Sequence, residues 1–110
     1  MYVVPTEKLW YDIVMSLAEI QKELLPLFRE YGVKKAAVFG SVSRGDDRPD
    51  SDVDILVSLG DKPMGMLAFV GMSLRAEEQL GRKVDIVTEN GLNKFIRPYI
   101  LKDLKTIYEG

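Results

Sequence analysis

Two aspartates at alternate positions follow a Gly-Ser pair at a short, defined spacing. Ten residues separate Gly40 and Ser41 from Asp52, and Asp54 directly precedes the apolar run Ile55–Val57. Because residues two apart on a strand project from the same face, the two carboxylates can share a divalent cation. Glycine lets a phosphate approach the backbone, and a serine hydroxyl with the N–H groups of a following helix can hold it. The pattern indicates chemistry on a nucleoside triphosphate; a loop before a strand and a capped helix are the alternatives without a ligand.

A third aspartate lies inside a later apolar segment. Asp85 stands between two apolar residues in a strand predicted from Lys83 to Thr88. A charge in the middle of an apolar strand is costly to bury unless it is paired. If this strand lies beside the one that carries Asp54, Asp85 can ligate the same metal and take the proton of an attacking hydroxyl. The alternative is an aspartate on an edge strand that faces water.

Two arginines lie between the Gly-Ser pair and the aspartates. Arg44 is near Ser41, and its planar guanidinium group is predicted to neutralise a bound triphosphate. Arg48 is equally well explained as a charge in a solvated loop. The predicted site therefore has three residues that bind the nucleotide, Gly40, Ser41 and Arg44, and three catalytic residues that bind the metal, Asp52, Asp54 and Asp85.

The composition limits the chemistry that the chain can perform. Its 110 residues include no cysteine and no histidine, which excludes disulfides, thiolate or imidazole metal sites and histidine-based acid–base catalysis. Any metal must bind oxygen ligands, which favours Mg²⁺, Mn²⁺ or Ca²⁺. The net charge of -2 lacks the basic excess typical of proteins that bind a long nucleic acid. Without a signal peptide or an apolar run of the roughly 20 residues that span a bilayer, the chain is predicted to be cytoplasmic, with no membrane partner.

Hydrophobic periodicity predicts alternating helices and strands. An amphipathic helix is expected from Thr6 to about Tyr31, with Pro26 kinking it or starting a second helix and Gly32 ending it. Strands are predicted at Val33–Phe39, Val53–Leu59, Lys83–Thr88 and Thr106–Tyr108, and helices at Ser41–Arg44, Met64–Leu80 and Leu92–Leu101. This mixture predicts an α+β fold, a small mixed β-sheet flanked by helices. We expect a single domain over residues 1–110, with an N-terminal helical segment (1–31) and a catalytic core (33–110).

Other apolar residues have explanations that do not involve catalysis. Most of the N-terminal helix stripe is expected to be core, although three residues are candidates for a partner surface, Trp10, Tyr11 and Met15. Three methionines are predicted to fill gaps in the core, Met64, Met66 and Met72.

The composite motif resembles that of the nucleotidyltransferase superfamily related to DNA polymerase β. Over about residues 33–87 it is similar to the minimal nucleotidyltransferase family, in which Gly-Ser and Arg-Gly precede Ser-Asp-Val-Asp-Ile-Leu-Val. Ser43 is a small departure, since relatives often have alanine there. The resemblance implies that Gly40 and Ser41 hold the triphosphate of ATP. It also implies that Mg²⁺ (or Mn²⁺) is bound by Asp52, Asp54 and Asp85, the last of which helps to activate the acceptor hydroxyl.

The same resemblance implies a protein partner. Minimal nucleotidyltransferases commonly pair with a HEPN-type toxin, and several act as antitoxins by transferring AMP from ATP to a toxin tyrosine. The chain is therefore interpreted as a Mg-dependent protein adenylyltransferase and antitoxin. The alternatives are an antitoxin that neutralises its partner by binding alone, and an enzyme that nucleotidylates a small molecule. Homo-oligomers and hetero-oligomers are both compatible with the sequence.

Overall fold

The fold alternates helices and strands as the sequence predicts. The computed structural model describes residues 17–45, 51–60 and 64–110. In chain order the elements are α1 (Leu17–Glu30), β1 (Lys35–Phe39), α2 (Gly40–Arg44), β2 (Val53–Ser58), α3 (Met66–Leu80), β3 (Val84–Thr88), a 3₁₀ turn (Glu89–Gly91), α4 (Arg97–Asp103) and β4 (Lys105–Glu109). This arrangement confirms the predicted α+β class.

The four strands form one mixed sheet in the order β3-β2-β1-β4. β1 pairs antiparallel with both β2 and β4, whereas β2 and β3 run parallel. Parallel neighbours require a crossover connection, and α3 supplies it. The small edge strand predicted near the C-terminus is confirmed as β4.

Two helices cover one face of the sheet and form the core with it. Val53, Ile55 and Val57 of β2 are fully buried in this core. Because side chains alternate along a strand, Asp54 projects from the opposite face, as predicted. A slip of one residue would turn three buried side chains outward, at about 1.5–3 kcal/mol each. The helices contribute to this core Ile20, Leu24, Leu27 and Phe28 from α1, and Met72, Ala76 and Leu80 from α3.

The first helix excludes one of the two alternatives that the sequence left open at Pro26. α1 runs without interruption from Leu17 to Glu30, so no second helix begins at Pro26. Gly32, with a φ of 70°, follows its end as predicted. The predicted start at Thr6 and the candidate partner surface lie outside the described residues. None of the described helices is long and apolar enough to cross a membrane.

The helix before β4 begins five residues later than predicted. α4 starts at Arg97 rather than Leu92, and Pro98 lies in its first turn. Proline is favoured there because the N–H that it lacks has no partner within the helix. The prediction that Met66 fills a gap in the core was wrong, because Met66 is 76% exposed at the start of α3. Met72 is fully buried, as predicted.

Candidate active site

Two of the predicted catalytic aspartates are direct neighbours in the sheet. Asp54 on β2 and Asp85 on β3 are register partners in the parallel ladder. Adjacent strands lie about 4.8 Å apart, and partners in register project from the same face. Asp52 precedes β2 by one residue, two positions from Asp54. The expected adjacency of the two strands is therefore confirmed. β3 is also an edge strand, and Asp85 is exposed on it.

The Gly-Ser turn lies directly against this pair of strands. Phe39, the last residue of β1, pairs with Asp54, and Gly40 follows with a φ of 76°. A Cβ atom on Gly40 would overlap Oδ2 of Asp54 and lie 3.3 Å from its Cγ. Glycine is therefore required at position 40 for two reasons. The backbone there is left-handed, and the Asp54 carboxylate occupies the space that a Cβ atom would need.

The short helix α2 is tied to the C-terminal end of α4. The Ser43 hydroxyl, which is buried, donates a hydrogen bond to the main-chain carbonyl of Asp103. Arg44 Nη1 donates to Asp103 Oδ2 over 3.0 Å. The predicted nucleotide ligand Arg44 is thus held beside the site by a carboxylate that sequence reasoning missed. Arg48 lies outside the described residues.

The electrostatic environment of Asp54 is unusual for a carboxylate. Burial, followed by the neighbouring charges of Asp85 and Asp52, raises the pKa of Asp54 to about 6. Arg44 offsets part of this rise. A raised carboxylate pKa means that negative charge at this position is incompletely compensated by the protein. The site therefore suits an additional cation.

The chemistry of the donors fits a hard divalent cation. As they stand, no three carboxylates in the described part of the chain converge closely enough to hold a metal ion. Mg²⁺ does not require such a preformed cage, because it commonly uses one or two carboxylates together with substrate phosphates. Two aspartates beside a Gly-Ser turn match that requirement.

A second missed residue, Arg82, anchors the segment that carries Asp52. Its Nε and Nη2 atoms both donate to the main-chain carbonyl of Ser51, over 3.2 and 2.8 Å. The N–H of Val53 donates to the carbonyl of Lys83 over 2.9 Å. Together these bonds fix the backbone on both sides of Asp52. No periodic signal marks Arg82, because its partner lies 31 residues away in sequence.

The aspartates lie outside a cleft found elsewhere on the sheet. An open cleft of about 440 Å³ is lined by residues that include Lys34, Ser58, Thr88 and Glu89. These residues lie at the opposite end of β2 from Asp54, and none of the three aspartates lines the cleft. The candidate active site and this cleft are therefore separate features of the sheet.

Comparison with known proteins identifies a family for the chain. The family model of the nucleotidyltransferase domain matches residues 14–107 of the chain. The chain belongs to the nucleotidyltransferase domain family. This nucleotidyltransferase is 35% identical to protein adenylyltransferase MntA of Thermococcus cleftensis over 95 residues, which cover 83% of this chain and 95% of the relative.

Solved structures share the fold of this nucleotidyltransferase. One that is described as a minimal nucleotidyltransferase is 35% identical, has a TM-score of 0.70 and covers 83% of this chain and 95% of its own. A chain of the complex between a tri-AMPylated HEPN toxin and an MNT antitoxin of Shewanella oneidensis has a TM-score of 0.66 at 18% identity. That match covers 86% of this chain and 73% of the other, and it shows a common fold. The predicted family is thereby confirmed.

Proposed function

We propose that this nucleotidyltransferase transfers AMP from ATP to a hydroxyl group of a partner protein and depends on Mg²⁺ or Mn²⁺. The observation that carries the proposal is the contact of the Gly40 turn with Asp54, which is itself paired with Asp85. A phosphate-binding turn and adjacent carboxylates are the two parts that phosphoryl-group chemistry requires.

Each part of the site has a separate task. Gly40 and Ser41 bind the phosphates of ATP, and Arg44 contributes positive charge beside them. Asp52 and Asp54 hold the divalent cation, with Asp85 next to them. When bound, the cation neutralises phosphate charge and polarises the oxygens around the α-phosphorus. Arg82 keeps the Asp52 segment in place through its two bonds to Ser51.

The proposed reaction is a single displacement at the α-phosphorus of ATP. The oxygen of the acceptor hydroxyl forms a bond to this phosphorus, and the bond to the oxygen that bridges the α- and β-phosphates breaks. Pyrophosphate leaves with the electron pair of that bond. The hydroxyl proton passes to the carboxylate of Asp85, the exposed member of the pair, which can meet an incoming acceptor.

We propose a HEPN-type toxin as the acceptor and an antitoxin role for the chain. Two relatives support this proposal: one is named protein adenylyltransferase MntA, and the other belongs to a complex that contains an AMPylated HEPN toxin. The site agrees with a large acceptor, because Asp85 is exposed on the edge strand β3, where a protein surface can reach it.

The test uses ATP labelled at the α-phosphate. The purified protein is incubated with this ATP, Mg²⁺ and a HEPN-type protein from the same genome. Label is expected on the HEPN-type protein, with loss of transfer for Asp54→Asn and retention for Glu78→Gln. Glu78 is the matched control because it is an exposed acid on α3, the helix that packs on the opposite face of the sheet from Asp54.

The same experiment separates catalysis from binding. Transfer that persists in Asp54→Asn would overturn the proposed site. A stable complex without transfer, with the toxin still neutralised, would replace the proposal by neutralisation through binding alone. Label on a small hydroxyl compound but on no protein would replace the protein acceptor by a small molecule.

A further inference from the structure

An exposed aromatic surface lies on the segment that connects β3 to β4. Phe95 is 73% exposed, Tyr99 is 75% exposed, and Ile96 between them is exposed as well. Large apolar side chains that stay in water as a contiguous group commonly mark a binding surface. We call these three residues the α4 patch.

The α4 patch is presented by an ordered turn. The Asn93 side chain accepts a hydrogen bond from the N–H of Phe95 over 2.8 Å, and the Asn93 carbonyl accepts from the N–H groups of Ile96 and Arg97. These bonds lead the chain directly into α4. The aromatic side chains are thus held outward by defined backbone geometry, which reduces the entropy lost when a partner binds.

Positive charge surrounds the α4 patch. Residues 92–105 contain four basic side chains and one acidic one, a net charge of +3 in a chain whose total is -2. Lys94, Arg97 and Lys102 are exposed, and Lys94 Nζ lies 5.3 Å from the centre of the Phe95 ring. Charge complementarity therefore favours an occupant that combines acidic and apolar side chains.

Helix α4 connects the α4 patch to the candidate active site. α4 runs from Arg97 to Asp103, about 10 Å at 1.5 Å per residue. At its end, Asp103 accepts hydrogen bonds from Ser43 and Arg44, the residues that follow the phosphate-binding turn. A partner docked on the α4 patch therefore lies beside the site and in a fixed relation to it.

We infer that the α4 patch docks the acceptor protein through an acidic, apolar segment next to its reactive hydroxyl. This inference rests on the proposed function and adds the docking surface and the chemistry of the segment it binds. A polypeptide fits better than a nucleic acid, because the exposed aliphatic side chain of Ile96 between the two rings is matched by apolar side chains and not by a phosphate backbone.

The test measures binding directly, without catalysis. The probe is a fluorescein-labelled peptide in which one tyrosine is flanked by leucine and glutamate residues; a second peptide has lysine for every glutamate. Fluorescence anisotropy with the full chain is expected to show about tenfold tighter binding of the glutamate peptide. The double variant Phe95→Ser, Tyr99→Ser is expected to lose about tenfold in affinity for it.

A matched control uses another exposed apolar surface of the same chain. Leu67 and Leu74 on α3 are 90% and 60% exposed, on the helix that covers the opposite face of the sheet. The double variant Leu67→Ser, Leu74→Ser is expected to bind the glutamate peptide as the parent does. Equal loss in both double variants, or none in Phe95→Ser, Tyr99→Ser, would overturn the inference.

Two further outcomes separate the alternatives. Weaker binding of Mg²⁺ and a non-hydrolysable ATP analogue by Phe95→Ser, Tyr99→Ser would assign the rings to the nucleotide and overturn docking. Tighter binding of an oligouridine than of the glutamate peptide would also overturn it.

If the variant Phe95→Ser, Tyr99→Ser fails to fold, the double variant Arg97→Glu, Lys102→Glu must reverse the preference for the glutamate peptide over the lysine peptide. Asp54→Asn should bind the peptide normally, so a failure of transfer is distinguishable from a failure of docking.

Discussion

The carboxylate of Asp54 lies against the α-carbon of Gly40, where any side chain would displace it. An added Cβ would overlap Oδ2 of Asp54 and lie 3.6 Å from its Cβ. The first residue after β1 therefore determines where the carboxylate of Asp54 on the neighbouring strand can point.

Gly40→Ala is expected to damage both stability and transfer, and Gly45→Ala provides the control. Both glycines have a positive φ, 76° and 78°, so alanine costs about 1–2 kcal/mol of backbone strain at either position. Of these two glycines, Gly40 alone has a neighbouring atom within 4 Å of an added Cβ. We expect similar strain in both variants, and a further loss of transfer only in Gly40→Ala. Chemical unfolding and the AMP-transfer assay measure the two effects; equal transfer by both variants would contradict the prediction.

The three aspartates are expected to fail in different ways when changed to asparagine. Asp52→Asn and Asp54→Asn should weaken the Mg²⁺-dependent binding of an ATP analogue, because they remove the two proposed ligands of the cation. Asp85→Asn should keep most of that affinity and lower kcat by about 100-fold or more, because it removes the proposed proton acceptor. Equilibrium binding and single-turnover kinetics distinguish the two patterns. Identical defects in all three variants would show that the roles are not divided in this way.

The pKa of Asp54 predicts that the metal-free protein loses stability as the pH rises. The folded-state value of about 6 lies above the ordinary 3.8, so the folded state binds the proton more tightly than the unfolded state. The contribution of Asp54 to the free energy of unfolding is fully present below about pH 4 and is lost as the pH rises through about 6. The loss is about 1–2 kcal/mol, since solvent screens a half-buried carboxyl.

Asp54→Asn tests that pH dependence. At about pH 7, without metal, the variant should be more stable than the parent by about 1 kcal/mol, and the two should match near pH 4. Urea unfolding in the presence of a chelator at several pH values gives the comparison. A parent and variant with parallel pH profiles would mean that Asp54 is not the group responsible.

Arg82→Lys is expected to reduce transfer although the charge is kept. Lysine cannot reproduce the two N–H donors that meet the carbonyl of Ser51, and the Asp52 segment is then held less firmly. We expect a loss of about 1 kcal/mol in stability and a lower kcat with little change in KM for ATP. Arg75→Lys, in an exposed ion pair with Glu30, is the matched control and should change neither. Normal kcat in Arg82→Lys would exclude a positioning role.

The sequence predicted the sheet and its acidic residues because both depend on local patterns. The apolar alternation around Asp54 sets its face, and the apolar neighbours of Asp85 mark a strand. The core then fixes the register of both strands, and with it the position of the two carboxylates. The start of α4 was misplaced because Pro98 is compatible with a helix only in the first turn, a distinction that spacing alone does not reveal.

The residues that support the site were not predictable in the same way. Asp103 and Arg82 act through contacts with residues about 60 and 31 positions away in sequence. Arg82 bonds to a main-chain carbonyl, which every residue has, so nothing in the sequence singles out its partner. Such contacts follow from the assembled topology rather than from any local pattern.

The pairing of β1 with β4 has a consequence for the newly made protein. β1 lies between β2 and β4, and Lys35 at its start pairs with Glu109. The turn that follows β1 is completed by Asp103, far along the chain. The nascent chain must therefore leave the ribosome as far as Glu109 before β1 can pair with β4 and Asp103 can bind Ser43. Nascent chains that lack β4 should be inert, and activity should begin abruptly once Glu109 has left the ribosome instead of growing with chain length.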